Sequence, residues 1–469
     1  MPASFVILGA GPGGLAAAYK LSQRGLGDVT VLERSARVGG NAGSFVIDRI
    51  PVDFGSHRLH PACSPPVMAD IRRLLGNDLL DRPRHGRIRL RDRWVHFPLQ
   101  PIDLITRLPT GFVAGVLADT VRKRIARSPA EPSFASILER GLGRTICRDF
   151  YFPFAEKIWG IPPAQLDAEQ ARRRVSSGSI GKIARRILGA VPPFRKPGTG
   201  HFFYPRRGYG QISDAFHAAA AASGVEVVFG ATATAVVVRH NRVCHVEADV
   251  GGVKRGFAAT HVLSTIPLTT LARLVRSERT PPAEAVESLQ QRAMVIVYLT
   301  LDADRFTEFD AHYFPETSIR ISRLSEPKNY SLTERQGRTV LCAELPCAIG
   351  GAEWAMSEKA LGALVIRDLE CGGLGPLPHV HAVHVERIPS AYPLYAKGYR
   401  DAFDRIDRWV GEIEGLVTFG RQGLFVHDNT HHTMAMGYTL VDCIRDDGVL
   451  DREAWARARR SFENNVVED

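Results

Sequence analysis

The chain has 469 residues, 45% hydrophobic and 23% charged, which suits a globular protein with a large core in two domains and excludes a fibrous or disordered one. A formal net charge of +10 favours anionic partners such as a nucleotide, a phosphorylated substrate or an acidic membrane surface. No dense basic tract with interleaved aromatics is present, which sets nucleic acid aside. The 7 cysteines are scattered, odd in number and free of CxxC spacing, which argues against a disulfide framework or a metal site and fits a reducing, cytoplasmic setting. The first apolar run has no basic leader and no run reaches about 18 apolar residues, so neither a signal peptide nor a transmembrane segment is expected.

Phe5–Leu8 is a short apolar run that reads as a buried parallel strand. Gly9-Ala10-Gly11-Pro12-Gly13-Gly14 follows, then the Ala-rich amphipathic stretch Leu15–Leu21, a helix. In a nucleotide-binding turn, Gly9 permits the bend, Gly11 lets the backbone approach a pyrophosphate, and Gly14 lets helix and strand pack closely. The helix N-terminus then faces the phosphates. A second strand, Val29–Leu32, ends in Glu33, 24 positions after Gly9, the place of a ribose 2′-OH acceptor. The alternative, an ordinary tight turn, would not need that acid.

Past Glu33 the chain reads Arg34-Ser35-Ala36-Arg37-Val38-Gly39-Gly40. This resembles the extended FAD fingerprint of the amine oxidase and protoporphyrinogen oxidase superfamily. Glu33 followed by Arg34 also suits a 2′-phosphate, but the Gly39-Gly40 pair favours FAD. FAD is itself a dianion and accounts for part of the positive excess. Val52-Asp53-Phe54-Gly55-Ser56-His57-Arg58-Leu59-His60 is similar to the segment beside the isoalloxazine in UDP-galactopyranose mutases and related flavoproteins. There Gly55 would let backbone approach the ring while His57 and Arg58 supply polar contacts; the plainer reading is a loop with surface histidines. Cys63 lies nearby without a motif for covalent flavin, so the cofactor is expected to be noncovalent.

From about residue 66 to 204 the pattern turns helical and rich in Arg and Pro. Arg82–Leu90 with Trp94–Leu99 alternates and predicts a hairpin flooring a cleft. Leu104–Arg127 carries Phe112–Ala118 before Arg122-Lys123-Arg124, which reads either as an interfacial helix in peripheral contact with anionic lipid or, more commonly, as a core helix with a solvated basic end. Lys157-x-Trp159-Gly160 resembles the K-x-W-G segment of the galactopyranose mutases. Arg172–Lys196 is basic and Ser/Gly-rich, a solvated loop or an anion-facing lid.

His201–Phe216 brings the chain back through a strand and a Gly-rich turn into a helix. Strand Glu226–Phe229 and hairpin Thr234–Glu247 follow, the resemblance placing Val236 near the adenine, and Ala259–Thr265 reads as a buried strand. Met294–Leu301 alternates as a sheet strand, with Arg320–Ser325 at the cleft end by the same analogy. Near the C-terminus, Val417–Gly420 leads to Arg421, and the turn Asp428-Asn429-Thr430-His431-His432-Thr433-Met434 opens a helix running to Val441. In the superfamily this is the second FAD site, its helix start facing the flavin's pyrimidine edge.

The fold class expected is α/β, a Rossmann-like FAD-binding domain (1–65, 205–275, 396–469) with a discontinuous mixed α+β substrate domain (66–204, 276–395). The resemblance implies cofactor contacts from Gly9, Gly11, Gly14, Glu33, Arg34, Gly39, Gly40, Gly55, Val236, Gly420, Arg421, Asn429, Thr433 and Met434. Candidate catalytic residues are His57, Arg58 and His432. A small-molecule substrate of anionic character would meet Arg84, Arg87, Trp159, Arg320, Arg323 and Tyr392, with Tyr395 at the mouth, because guanidinium forks hold diphosphate bidentately. The competing reading pairs these arginines with carboxylates such as Asp81 or Glu326. The expected reaction is hydride transfer to flavin N5 from a sugar-like or cyclic substrate; the alternatives are a non-redox mutase acting on a nucleotide sugar and a flavin-binding protein without turnover.

Overall fold

A computed structural model describes residues 3–97, 106–122, 132–174, 200–334 and 336–467. At its base lies a five-stranded parallel sheet in the order Leu416–Thr418, His261–Ser264, Ala3–Leu8, Gly27–Leu32, Glu226–Val228. Ala3–Leu8 is central, and Phe5 to Leu8 are buried on both faces, which is why they read as an unbroken apolar run. One face is covered by the Pro12–Arg24 helix, packed against Thr430–Asp442 and Gln211–Ala222. The first two of these helices approach closely through glycine: a Cβ on Gly437 would stand 2.7 Å from the Gly13 carbonyl oxygen. The other face meets a four-stranded sheet built on Ala231–Arg239 and Arg242–Val250 together with Tyr399–Glu412.

A seven-stranded sheet forms the second layer, ordered Val380–Pro393, Gln291–Leu301, Thr339–Cys347, Arg323–Ser325, Ala311–Tyr313, Gly86–Leu90, Arg93–Phe97. The expected one-sided alternation over Met294–Leu301 gives way to burial of every residue from Ala293 to Leu301. The cause is cover on both faces. Val295, Val297 and Leu299 pack on Leu361, Leu364 and Val365, whereas Met294, Ile296 and Tyr298 pack on Ile50 and Val52. The predicted hairpin starts at Gly86, because Leu79–Pro83 pairs instead with His201–Pro205 in a separate ribbon.

Helix Thr110–Arg122 turns Phe112 and Val116 into a cluster with Phe134, Leu138 and Trp159, the core-helix arrangement, while Leu117 is exposed. Its basic end from Lys123 lies outside the described residues, as does most of the Arg172–Lys196 segment. No helix among the described residues is long and apolar enough to cross a membrane.

Candidate active site

Between the two layers runs a cavity of about 650 Å³. One end is framed by the first 42 residues, with Ala231–Ala233 and Thr265–Pro267 beside them. Gly9 turns the chain with φ +99°, and Gly39 N–H donates to the Ala10 carbonyl at 2.8 Å, folding the Gly39-Gly40 turn onto it. A Cβ on Gly14 would meet the Gly9 carbonyl oxygen at 2.1 Å, so Gly14 serves helix–strand packing and stays out of the cavity wall. Gly11 is the opposite case: it lines the cavity, and a Cβ there would meet no protein atom within 4 Å. The space in front of it is left for a ligand. Glu33 closes this end, its carboxylate accepting from Ala10 N–H at 2.8 Å and from Ser35 N–H at 2.9 Å. Arg34, Gly40 and Asn41 stand beside it in the wall.

Next along the cavity come Ser56, His57 and Arg58 on one side and Gly420, Arg421, Asn429, Thr430 and Thr433 on the other. Gly55, at φ +99°, lies behind them, its Cβ position 3.2 Å from the Glu344 carboxylate. His57 Nε2–H donates to the carbonyls of Asn41 (2.8 Å) and Phe54 (3.1 Å), and the ring stacks on Tyr209 at 5.3 Å. Burial pulls His57 below the ordinary histidine value, against the opposing pull of Asp53 and Glu344. Asn429 and His432 cap the Thr430–Asp442 helix reciprocally: each side chain accepts the other's backbone N–H, the His432 Nδ1 at 3.3 Å.

The far end gathers Arg84, Phe154, Ile158, Tyr313, Arg323, Glu344 and Tyr392. Arg323 grips Glu344 through Nε and Nη2 at 2.7 to 2.9 Å, and Glu344 also accepts Ser56 N–H at 2.7 Å. Burial alone would lower the Arg323 guanidinium; Glu344 holds it well above the ordinary arginine value. Arg58 lies 3.5 Å from the Asp310 carboxylate and donates to Tyr330 Oη at 3.2 Å.

The model for the flavin containing amine oxidoreductases matches residues 12–408. The chain belongs to this family. FAD is accordingly its cofactor, and the residues fit that group: an open cradle before Gly11, an acid at the ribose position, and two helix starts opening on one cavity. Protoporphyrinogen oxidase 2 of Arabidopsis thaliana is 29% identical over 179 residues, 35% of this chain and 34% of that protein. Polyamine oxidase 5 of Oryza sativa subsp. japonica is 37% identical over 75 residues, 16% of this chain and 15% of its own. The chain thus spans about a third or less of the length of these curated relatives. Among solved structures, reduced UDP-galactopyranose mutase superposes with a TM-score of 0.82 at 20% identity, covering 98% of this chain and 99% of that one. Putrescine oxidase bound to putrescine gives 0.64 at 17%, covering 93% and 97%. At these identities the likeness speaks for the fold.

Several residues of this flavoprotein stand elsewhere than the sequence placed them. Val236 is buried inside the Ala231–Arg239 strand, and the cavity is met instead by Ala231, Thr232 and Ala233. Met434 faces the core because helix period turns it away from Thr430 and Thr433. His432 is spent on the helix cap outside the wall. Trp159 is buried against Phe134 and His427. Arg87 is held between the rings of Trp94 and Phe309, 4.3 Å from each centroid. Arg320 is exposed beside Glu353, and Tyr395 is buried, stacked on Tyr399. The competing reading holds in kind, since Arg323 pairs with Glu344 and Arg320 with Glu353, but not in its named partners: Asp81 pairs with His201, while Glu326 accepts backbone N–H groups of Phe306 and Thr307. The Cys63 thiol lies outside the cavity wall, and burial pushes it up to about 12.

Sequence reading missed Glu344 and Tyr313. For Glu344 a signal existed. Thr339–Cys347 is a strand buried throughout, and a single acid inside such a run requires a partner.

Proposed function

We propose that this chain is an FAD-dependent oxidoreductase that oxidises a small, sugar-like or cyclic substrate of anionic character. The observation that carries the reading is the continuity of one cavity, from the Gly9–Glu33 cradle to a recess bearing Arg58, Arg84, Arg323, Tyr313 and Tyr392. When bound, FAD supplies the acceptor for the substrate's hydride. In this reading the backbone of Gly9 and Gly11 and the helix start at Pro12 hold the pyrophosphate, Glu33 the ribose, and Gly55–Arg58 with Asn429–Thr433 border the flavin. His57, tied to two carbonyls, keeps the Asn41 and Phe54 loops together at the ring. Phe154 and Ile158 exclude water, and the arginines orient the substrate by its negative charge.

A second reading, rearrangement of a nucleotide sugar without net oxidation, is favoured by the two tyrosines that stand with arginines in the recess, since phenol and guanidinium donors together suit a diphosphate. Anaerobic mixing of oxidised holoprotein with candidate substrates separates the two. An oxidoreductase bleaches its flavin with substrate and regains colour on admission of an acceptor. Turnover only after prior chemical reduction, with the flavin left reduced, would overturn the first reading. Affinity for an anionic substrate is expected to fall with salt and again in Arg323→Ala.

A further inference from the structure

Lys157 belongs to the K-x-W-G segment yet stays out of the cavity wall. It sits near the end of the Phe152–Trp159 helix, half-buried, and one loop wraps its ammonium. Lys157 Nζ donates to the carbonyl oxygens of Phe314, of Glu316 at 2.7 Å and of Ile321 at 3.2 Å. These three come from separated positions of the stretch between Phe314 and Ser322, and one conformation of that stretch turns all three inward together. Its N–H groups are held from another side: the Asp368 carboxylate accepts from Arg320 N–H at 2.7 Å and Ile321 N–H at 2.9 Å. Phe314 N–H to the Ser322 carbonyl, 3.0 Å, closes the base. The next residues along, Ser322 and Arg323, line the cavity, and Arg323 carries the fork onto Glu344.

We propose that Lys157 is a positioning residue whose ammonium fixes the Phe314–Ser322 loop and, through it, the place of the Arg323 guanidinium in the cavity wall. The ammonium stands where water would otherwise have to satisfy three inward carbonyls. Burial draws Lys157 down to about 7 against the opposing pull of Asp368. Three carbonyl acceptors on one nitrogen nevertheless call for all three hydrogens of the charged form, which hold the loop firmly next to the residue it must present. The rest of the motif has its own structural tasks. Trp159 packs on Phe134, and Gly160, at φ +71°, ends the helix where a Cβ would lie 2.6 Å from the Arg292 guanidinium. Lys157, Trp159 and Gly160 thus act on the cavity from behind, while Ile158 between them stands in its wall.

The test uses FAD-loaded wild type, Lys157→Met and Lys157→Arg. Hydrogen exchange is read over residues 314–323, with the Gln291–Leu301 strand as internal reference. Lys157→Met should speed exchange in the loop about tenfold or more and leave the strand unchanged. Lys157→Arg keeps a charged donor and should restore most of the protection. A crystal structure of the Met variant should find the Arg323–Glu344 fork shifted or reduced to a single contact. An unchanged loop and fork in Lys157→Met would overturn the proposal. So would equal loss of protection in the Met and Arg variants, because the side chain would then serve only to fill space. Lys157→Gln replaces the Met variant if that one fails to fold, with the same outcomes. Neither readout uses turnover, so this proposal and the oxidoreductase reading fail independently.

Discussion

The two ends of the cavity are made in different ways. At the Gly9–Glu33 end one stretch of chain sets the main features, and backbone does the work: a bend, an approach, a helix start. At the Arg323–Glu344 end, segments near residues 58, 84, 313, 323, 344 and 392 meet only in the folded protein, and side-chain charge does the work. An end built from backbone tolerates no added atoms. An end built from charge tolerates no missing partner.

The largest effect is expected where backbone meets backbone. Gly14→Ala puts a methyl group 2.1 Å from the Gly9 carbonyl oxygen and should cost more than about 4 kcal/mol, seen as loss of soluble, folded protein. Gly11→Val sharpens the contrast: far-UV circular dichroism should find the fold kept while flavin absorbance is lost. Full flavin occupancy in that variant would break the assignment of this end.

At the charged end, Glu344→Ala leaves the Arg323 guanidinium without its carboxylate and strips an acceptor from Ser56 N–H. Urea denaturation should record a loss of about 3–5 kcal/mol. The double change Arg323→Met with Glu344→Leu should recover most of it; if it does not, the pair is more than mutual neutralisation. Asn429→Ala removes one half of the reciprocal cap at the Thr430–Asp442 helix, with an expected cost near 1 kcal/mol in the same measurement. Arg320→Ala is the control of smallest effect. Its ion pair with Glu353 is solvent-exposed at 3.6 Å, and stability should change by no more than about 0.5 kcal/mol.

What could be read in the sequence follows the same division. The strand, turn, helix and acid from Phe5 to Glu33 are local, so spacing alone orders them, and the Asn429 helix start is likewise local. Arg87 and Arg320 were unreadable for a physical reason. Both are arginines on or beside sheet strands, as Arg323 is, and only tertiary packing decides which one meets Glu344 and which meets Trp94 or Glu353. Met434 and His432 were misplaced by a smaller error, since helix period sends neighbours of Thr433 to other faces. The two-sided cover over Gln291–Leu301 depends on Ile50 and Val52, some 240 positions earlier, and no window along the chain contains both.

The order of strands in the parallel sheet carries a consequence for how the protein is made. Leu416–Thr418 completes the sheet beside His261–Ser264, and the second wall of the cofactor cavity, Gly420 to Thr433, follows directly. A growing chain therefore displays Gly9–Glu33 long before the opposite wall exists. In the proposed reading, the flavin site has both its walls only once Thr433 has been made. Through the later part of that interval Ala3–Leu8 already has both strand neighbours, whereas His261–Ser264 keeps an open edge that only Leu416–Thr418 closes.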